Sequence, residues 1–157
     1  MTRHTLVMAS FLLETHVMGA GPTGCMVALA LAQQNQRVVL FDPQAFDALT
    51  SRSRAYAITH SSRRLMQRLG VWDELRKDLV AFEQLDLRDL AAGHQVLFVS
   101  DDLAEKNRGH HGIGWILDHR PLMTALLQRL QESALVRLHL GGRSFLLKYE
   151  EYKNFLG

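Results

Sequence analysis

Three glycines and one acid have the residue types and the spacing that would bind a dinucleotide. The glycines form a Gly19-x-Gly21-x-x-Gly24 motif, and Asp42 follows the last of them by 18 residues. In such a motif the first glycine permits a tight turn, the second lets the backbone approach a diphosphate, and the third lets a helix pack closely on a strand. The amides that open the helix face the phosphates, and an acid at the end of the next strand accepts hydrogen bonds from ribose hydroxyls. The pattern therefore predicts a dinucleotide site, and a glycine turn that binds nothing is the alternative.

The residues around this motif predict the elements that would position it. Residues 11–18 lead into the turn, residues 25–34 are helix formers with almost no polar face, and residues 37–41 are β-branched and aromatic. Asp42 and Pro43 then end the second strand. This order predicts a βαβ unit with two parallel strands. Its first strand is unusual, because residues 14–16 are polar and a central parallel strand is normally apolar throughout.

Further along the chain, helices alternate with short strands. Thr59 or Ser61 caps a predicted helix that Gly70 closes, and a short helix begins near residue 71. Residues 84–99 alternate polar and apolar around a turn, which predicts an antiparallel hairpin. A strand at 113–117, a helix with Asp118 as its cap and Pro121 in its first turn, and a strand at 136–140 follow. We expect an α/β protein with an antiparallel β insertion.

Composition indicates an ordinary soluble globular chain. Of its 157 residues, 47% are hydrophobic and 22% are charged, and the net charge is +2. That charge is too small to indicate a nucleic-acid partner. The single cysteine, Cys25, excludes an internal disulfide, and we expect it to be a small core residue.

Neither a metal site nor a membrane span is predicted. The adjacent pair His110-His111 lacks a third ligand at metal-binding spacing, so we expect no metal. The longest apolar run, residues 6–13, is far shorter than the ~20 residues of a spanning helix. Polar residues stand where a signal peptide would be cleaved, which favours a cytoplasmic location.

Two later segments carry a resemblance to a known family. Residues 54–58 read Arg-Ala-Tyr-Ala-Ile, and the helix after them ends Leu-Gly-Val-Trp at residues 69–72. Residues 114–122 read Gly-Trp-Ile-Leu-Asp-His-Arg-Pro-Leu. Together with the glycine motif, they resemble the flavin-dependent aromatic hydroxylases of the p-hydroxybenzoate hydroxylase superfamily, and most closely the ubiquinone-biosynthesis branch of UbiH/UbiF type.

This resemblance implies a Rossmann-like βαβ domain that binds FAD. Gly19, Gly21 and Gly24 would hold the FAD pyrophosphate, and Asp42 would hold the adenosine ribose. Arg54 would lie beside the isoalloxazine or ribityl region, in a stretch too apolar to be wholly exposed, and Arg120 would contact the cofactor from the returning helix. Without the resemblance, the favoured interpretation of each arginine is a solvated surface charge.

The resemblance also implies a monooxygenase reaction. NAD(P)H would reduce the flavin, and O₂ would then be used to hydroxylate a small aromatic substrate such as a prenylated quinone precursor. A lipid-tailed substrate would require peripheral contact with a membrane surface, which the sequence leaves open together with the oligomeric state. The residues show no obvious acid–base catalyst, so the catalytic residues are unknown and the cofactor supplies the chemistry.

The resemblance extends from about residue 17 to residue 140. It implies an incomplete FAD-binding region in residues 1–82, a partial substrate-domain β segment in 83–117 and a return to the FAD domain in 118–142. Residues 143–157 match nothing in the family pattern. We therefore expect an N-terminal portion of such an enzyme, from a truncated or frame-shifted reading frame.

Two other functions fit the βαβ unit. One is an NAD(P)-binding dehydrogenase or reductase domain, which gives no account of Arg54 or of residues 114–122. The other is a non-catalytic remnant with an incomplete cofactor pocket. Bound flavin would distinguish the first hypothesis from both alternatives.

Overall fold

The predicted βαβ unit is present in a computed structural model that describes residues 14–107 and 112–141. It consists of strand β1 (Glu14–Met18), helix α1 (Pro22–Gln33) and strand β2 (Arg37–Asp42). β1 pairs with β2 in parallel, and strand β8 (Val136–Leu140) pairs in parallel with the other side of β2. The sheet order is therefore β1-β2-β8, and its middle strand is buried from residue 38 to residue 42.

The polar residues of β1 have specific partners in this sheet. The Arg137 guanidinium on β8 donates a hydrogen bond to the Glu14 carboxylate. The His16 ring packs edge-on against the Phe41 ring, with 5.4 Å between their centroids. These contacts explain how a parallel strand with polar residues is accommodated here.

Two compact units divide the described chain. The first contains the described residues up to 51 together with those from 123 onward, and the second contains the described part of 52–122. In the first unit, α1 buries one face of small and aliphatic residues, and the short helix α2 (Phe46–Thr50) follows β2. The buried residues of α1 are Cys25, Ala28, Leu29 and Ala32.

The second unit is built on an antiparallel sheet. Strand β7 (Gly114–Asp118) pairs with β3 (Ala55–Ile58) on one side and with β4 (Leu79–Phe82) on the other. Between β3 and β4 lie helices α3 (His60–Leu69) and α4 (Trp72–Leu75). Strands β5 (Gln84–Asp89) and β6 (His94–Val99) form a separate two-stranded hairpin, and helix α5 (His119–Gln131) begins directly after β7.

Local sequence signals predicted most of these helices and strands correctly. The Thr59 side chain accepts a hydrogen bond from the Ser62 amide at the start of α3, and Gly70 ends that helix at φ 75°. The hairpin, the returning strand β8 and the helix start after Asp118 lie where the sequence predicts them. Sequence reasoning missed α2, β3 and β4, and the last two are strands through their pairing with β7, which lies far along the chain.

The compact units divide the chain at different points from the predicted domains. The predicted domain boundaries fall after residues 82 and 117, whereas the boundaries between the compact units fall after residues 51 and 122. The physical reason is that β3 and β4 both pair with β7, which places residues 55–58 and 79–82 in one sheet with 114–118. How cofactor and substrate binding are divided along the chain stays a prediction, and residues 143–157 lie outside the described part.

Within the described residues, no helix combines the length and the apolar character that crossing a bilayer requires.

Candidate functional site

The turn between β1 and α1 requires glycine at two positions. Gly19 has φ +99°, a backbone conformation that side chains with a Cβ rarely adopt, and its amide donates to the Phe41 carbonyl at 2.7 Å. A Cβ on Gly24 would lie 1.9 Å from the Gly19 carbonyl oxygen. The first and third glycines of the motif therefore have the predicted structural roles, a tight turn and a close helix–strand approach.

The start of α1 presents backbone donors at this turn. Gly21 is the N-cap, no side chain caps the helix, and the first intrahelical bond runs from the Cys25 amide to the Gly21 carbonyl at 2.9 Å. Pro22 has no N–H, so the helix geometry leaves the Thr23 and Gly24 amides without an intrahelical acceptor. A Cβ on Gly21, the N-cap residue, would meet no atom within 4 Å. Unpaired amides at a helix N-terminus are suited to binding a diphosphate.

Asp42 lies against the glycine turn. Its carboxylate accepts one hydrogen bond from the Ala20 amide, between Gly19 and Gly21, and one from the Gln44 amide, both at 2.8 Å. The residue is 8% exposed. Two carboxylate oxygens offer about four acceptor positions, so capacity remains for the hydroxyls of a ribose. The structure thus brings the acid and the three glycines together, as the motif predicts.

Cys25 lies beneath the same turn. Its thiol donates to the Ala20 carbonyl at 3.3 Å, and the residue is fully buried. Burial, and secondarily the negative charge of Asp42, raise the pKa of the Cys25 thiol to about 12. The thiol stays protonated at neutral pH, as expected of a core residue rather than a nucleophile.

Arg54 and Arg120 are far apart in sequence but come together in the second unit. Arg54 immediately precedes β3, Arg120 is the second residue of α5, and β3 and β7 pair with Ala55 opposite Asp118. The His119 amide donates to the Arg54 carbonyl at 2.7 Å. The backbones of both arginines therefore lie at the same end of this strand pair.

Arg54, which immediately precedes the apolar strand β3, is an exposed residue. Within β3, Ala55 and Ala57 are exposed while Tyr56 is half-buried and Ile58 is buried, the alternation expected of a strand with one covered face. Arg120 is exposed as well. The cofactor contacts assigned to these two arginines stay predictions.

Sequence reasoning missed one polar pair near this strand end. The Tyr56 hydroxyl and the His119 Nδ1 atom lie 2.8 Å apart, and His119 is only 2% exposed. Both residues lie within the segments that carry the family resemblance, yet no local pattern indicates that they meet.

No group of three metal-binding side chains occurs within 14–107 and 112–141. The pair His110-His111 lies outside the described residues, so its predicted lack of a metal stays a prediction.

Parallel strands joined by a helix, a glycine turn at its N-terminus and an acid closing the second strand define a dinucleotide-binding α/β protein. The chain belongs to the FAD binding domain family, which matches residues 13–110, more than half of its length. This family assignment confirms the predicted cofactor, FAD, and the predicted α/β fold class.

Three curated proteins are similar to parts of the chain. The chain is 32% identical over 117 residues to the ubiquinone hydroxylase UbiL of Rhodospirillum rubrum, which covers 73% of this chain and 26% of that protein. It is 40% identical over 62 residues to the ubiquinone hydroxylase UbiM of Neisseria meningitidis, covering 38% of this chain and 13% of that one. An uncharacterised protein of Synechocystis is 24% identical over 113 residues, covering 72% of this chain and 26% of its own length. The chain therefore spans about a quarter or less of the curated relatives it matches.

Solved structures of a probable FAD-dependent monooxygenase and of a p-nitrophenol 4-monooxygenase share the fold. PqsL of Pseudomonas aeruginosa superimposes with a TM-score of 0.61 at 18% identity, over 82% of this chain and 32% of that chain. The p-nitrophenol 4-monooxygenase PnpA of Pseudomonas putida gives 0.60 at 18% identity, with the same shares covered.

Proposed function

We propose that this chain is the FAD-binding portion of a flavin-dependent monooxygenase that hydroxylates an aromatic substrate with NAD(P)H and O₂. The observation that carries the proposal is the position of Asp42, whose buried carboxylate is fixed against the glycine turn by the Ala20 amide. An NAD(P)-binding dehydrogenase would share this geometry, but the family match favours FAD.

Each part of the site has a distinct role in this proposal. The Thr23 and Gly24 amides bind the diphosphate, and the remaining acceptor positions of Asp42 bind the adenosine ribose. Gly21 keeps a side chain out of the diphosphate's position. Arg54 and Arg120 contact the cofactor, as the family resemblance implies for these two positions.

Bound FAD supplies the redox chemistry, accepting electrons from NAD(P)H and passing them to O₂. The chain's own residues bind and orient the cofactor. Two of the relatives are named ubiquinone hydroxylases, which supports a quinone precursor as the substrate class. A prenylated precursor resides in a bilayer, so the proposal includes peripheral contact with a membrane surface.

Gly21→Val tests the cofactor site without disturbing the turn. The backbone at Gly21 (φ −71°, ψ 177°) suits any residue, and a Cβ there would meet no protein atom within 4 Å. We expect unchanged thermal stability and FAD affinity lowered about 100-fold, the loss expected when two charge-assisted hydrogen bonds to the diphosphate are broken. Quenching of FAD fluorescence by the full chain measures the affinity, with FMN as the control ligand that lacks the adenosine half.

Asp42→Asn provides a second test, and Asp47→Asn, an exposed substitution in α2, is its matched control. An asparagine carries one acceptor oxygen in place of two, so we expect FAD affinity to fall about tenfold. Asp47→Asn should leave the affinity unchanged. If the folded chain binds NADPH but no flavin, the proposal is wrong and the NAD(P)-binding dehydrogenase is supported instead. If the folded chain binds neither, the non-catalytic remnant is the hypothesis that is left.

A further inference from the structure

The β5–β6 hairpin has two outer edges along which a further strand could pair. Among the residues that the structure describes, this sheet contains only β5 and β6. A two-stranded hairpin is marginally stable in water, and the backbone groups along an unpaired edge can hydrogen-bond to another strand. The hairpin is therefore a candidate surface for strand addition.

One hydrogen bond shows which backbone groups of β6 point away from β5. The Val99 amide donates at 2.8 Å to the carboxylate of Asp102, a residue that follows β6. In an antiparallel pair the N–H and C=O groups of one residue point the same way, and the direction alternates from each residue to the next. The backbone groups of Gln95 and Leu97 therefore also point outward, whereas those of Val96 point towards β5.

Charge distinguishes the two edges of the hairpin. β5 carries Asp86, Arg88 and Asp89, and Arg88 forms an exposed ion pair with Asp86. Charged side chains on an edge strand hinder the addition of another strand. β6 reads His-Gln-Val-Leu-Phe-Val and contains no Asp, Glu, Lys or Arg. The edge formed by β6 is therefore the one suited to pairing.

We infer that β6 of one copy of the chain pairs antiparallel with β6 of a second copy, about a two-fold axis at Val96. In this register Gln95 of each copy lies opposite Leu97 of the other, and each such pair exchanges two hydrogen bonds. The Val99 amide, which already donates to Asp102, is not required. The two hairpins then form one four-stranded sheet, and the symmetry of the contact limits the assembly to a dimer.

The side chains of the hairpin favour an identical strand as the partner. Val96 and Phe98 share one face with Leu85 and Leu87, and all four side chains are exposed. A second copy places an equally apolar face on the same side of the combined sheet, and it brings no charged residue to the β6 edge. The inference concerns the hairpin alone and does not depend on the proposed function.

Sedimentation velocity of the full chain over a range of concentrations tests the inference. We expect a reversible equilibrium between monomer and dimer, without larger species. Val96→Lys places two like charges directly opposite each other, in a pair whose Cα atoms lie about 4.5 Å apart. We expect the dissociation constant of the dimer to rise about tenfold or more.

Leu87→Lys is the matched control. Leu87 is the partner of Val96 within the hairpin, and both residues are 51% exposed. In the dimer the two copies of Leu87 would be separated by three strand spacings, about 14 Å, which exceeds the Debye length of about 8 Å at physiological ionic strength. We expect its dissociation constant to change less than about twofold.

Mixing the Val96→Lys chain with a Val96→Glu chain distinguishes charge repulsion from damage to the fold. Opposite charges would then face each other across the axis, and we expect a mixed dimer about as stable as that of the unsubstituted chain. A chain that stays monomeric at every concentration, or that forms species larger than a dimer, would overturn the inference. Equal dimerisation of the two lysine variants would place the interface elsewhere, and a mixture that fails to restore the dimer would contradict the axis at Val96.

Discussion

The glycine turn and the β5–β6 hairpin differ in how deeply their side chains are buried. At the turn, the Asp42 carboxylate is buried with two amide donors, and Cys25 is fully buried beside it. Along the hairpin, every residue from 83 to 98 is exposed, including Leu87 and Val96. The turn is fixed by contacts that it already makes, whereas a two-stranded hairpin has little stability of its own. The first region is thus organised before any ligand binds, whereas the second leaves its apolar side chains exposed.

The largest expected effect comes from adding one methyl group at the turn. Gly24→Ala places a Cβ 1.9 Å from a backbone oxygen, so the turn must move, and we expect a loss of about 3 kcal/mol or more together with loss of FAD binding. Gly93→Ala in the hairpin turn is the matched control, because its Cβ meets nothing within 4 Å and only its φ of +68° carries a cost, about 1 kcal/mol.

Urea denaturation followed by far-UV circular dichroism measures both changes. The two tryptophans, Trp72 and Trp115, lie in the second unit, so their fluorescence reports on that unit separately. Equal losses of stability for the two substitutions would show that the turn is no more constrained than the hairpin.

A smaller effect concerns the buried thiol and its dependence on pH. Because the pKa of Cys25 is raised from 9.0 to about 12, the folded state keeps the thiol neutral while the unfolded state ionises it above pH 9. Stability should be insensitive to this group below pH 9 and fall by about 1 kcal/mol between pH 9 and pH 10.

Cys25→Ala should remove this part of the alkaline pH dependence, which denaturation curves at pH 8 and pH 10 compare. Native protein should also react with iodoacetamide far more slowly than urea-unfolded protein at pH 8. Rapid alkylation of the folded chain would contradict the burial that distinguishes the turn from the hairpin.

The smallest effect is expected at the tip of the hairpin. Leu90 is 92% exposed, so Leu90→Ser should change the free energy of unfolding by less than about 0.5 kcal/mol. Leu126→Ser, in the fully buried part of α5, is the contrasting substitution and should be strongly destabilising. A destabilisation of several kcal/mol at Leu90 would show that the hairpin tip is packed against another surface in solution.

Much of the candidate site was predictable because its signals are local. The glycine spacing predicts the turn, the apolar residues of 25–34 predict the helix, and the run ending at Asp42 predicts the second strand. Thr59 and Gly70 likewise mark the ends of α3 through capping chemistry that involves only their sequence neighbours. Each of these features depends on residues within a few positions of one another.

Interactions between residues far apart in the sequence were decided by the tertiary structure alone. The bond from the Ala20 amide to Asp42, the raised pKa of Cys25 and the approach of the His119 amide to Arg54 join residues from separate segments. Strands β3 and β4 gave weak local signals, and they exist as strands because β7, which follows more than 30 residues later, pairs with both. Periodicity and turn chemistry follow from neighbouring residues, but pairing, burial and charge environment depend on which segments the folded chain brings into contact.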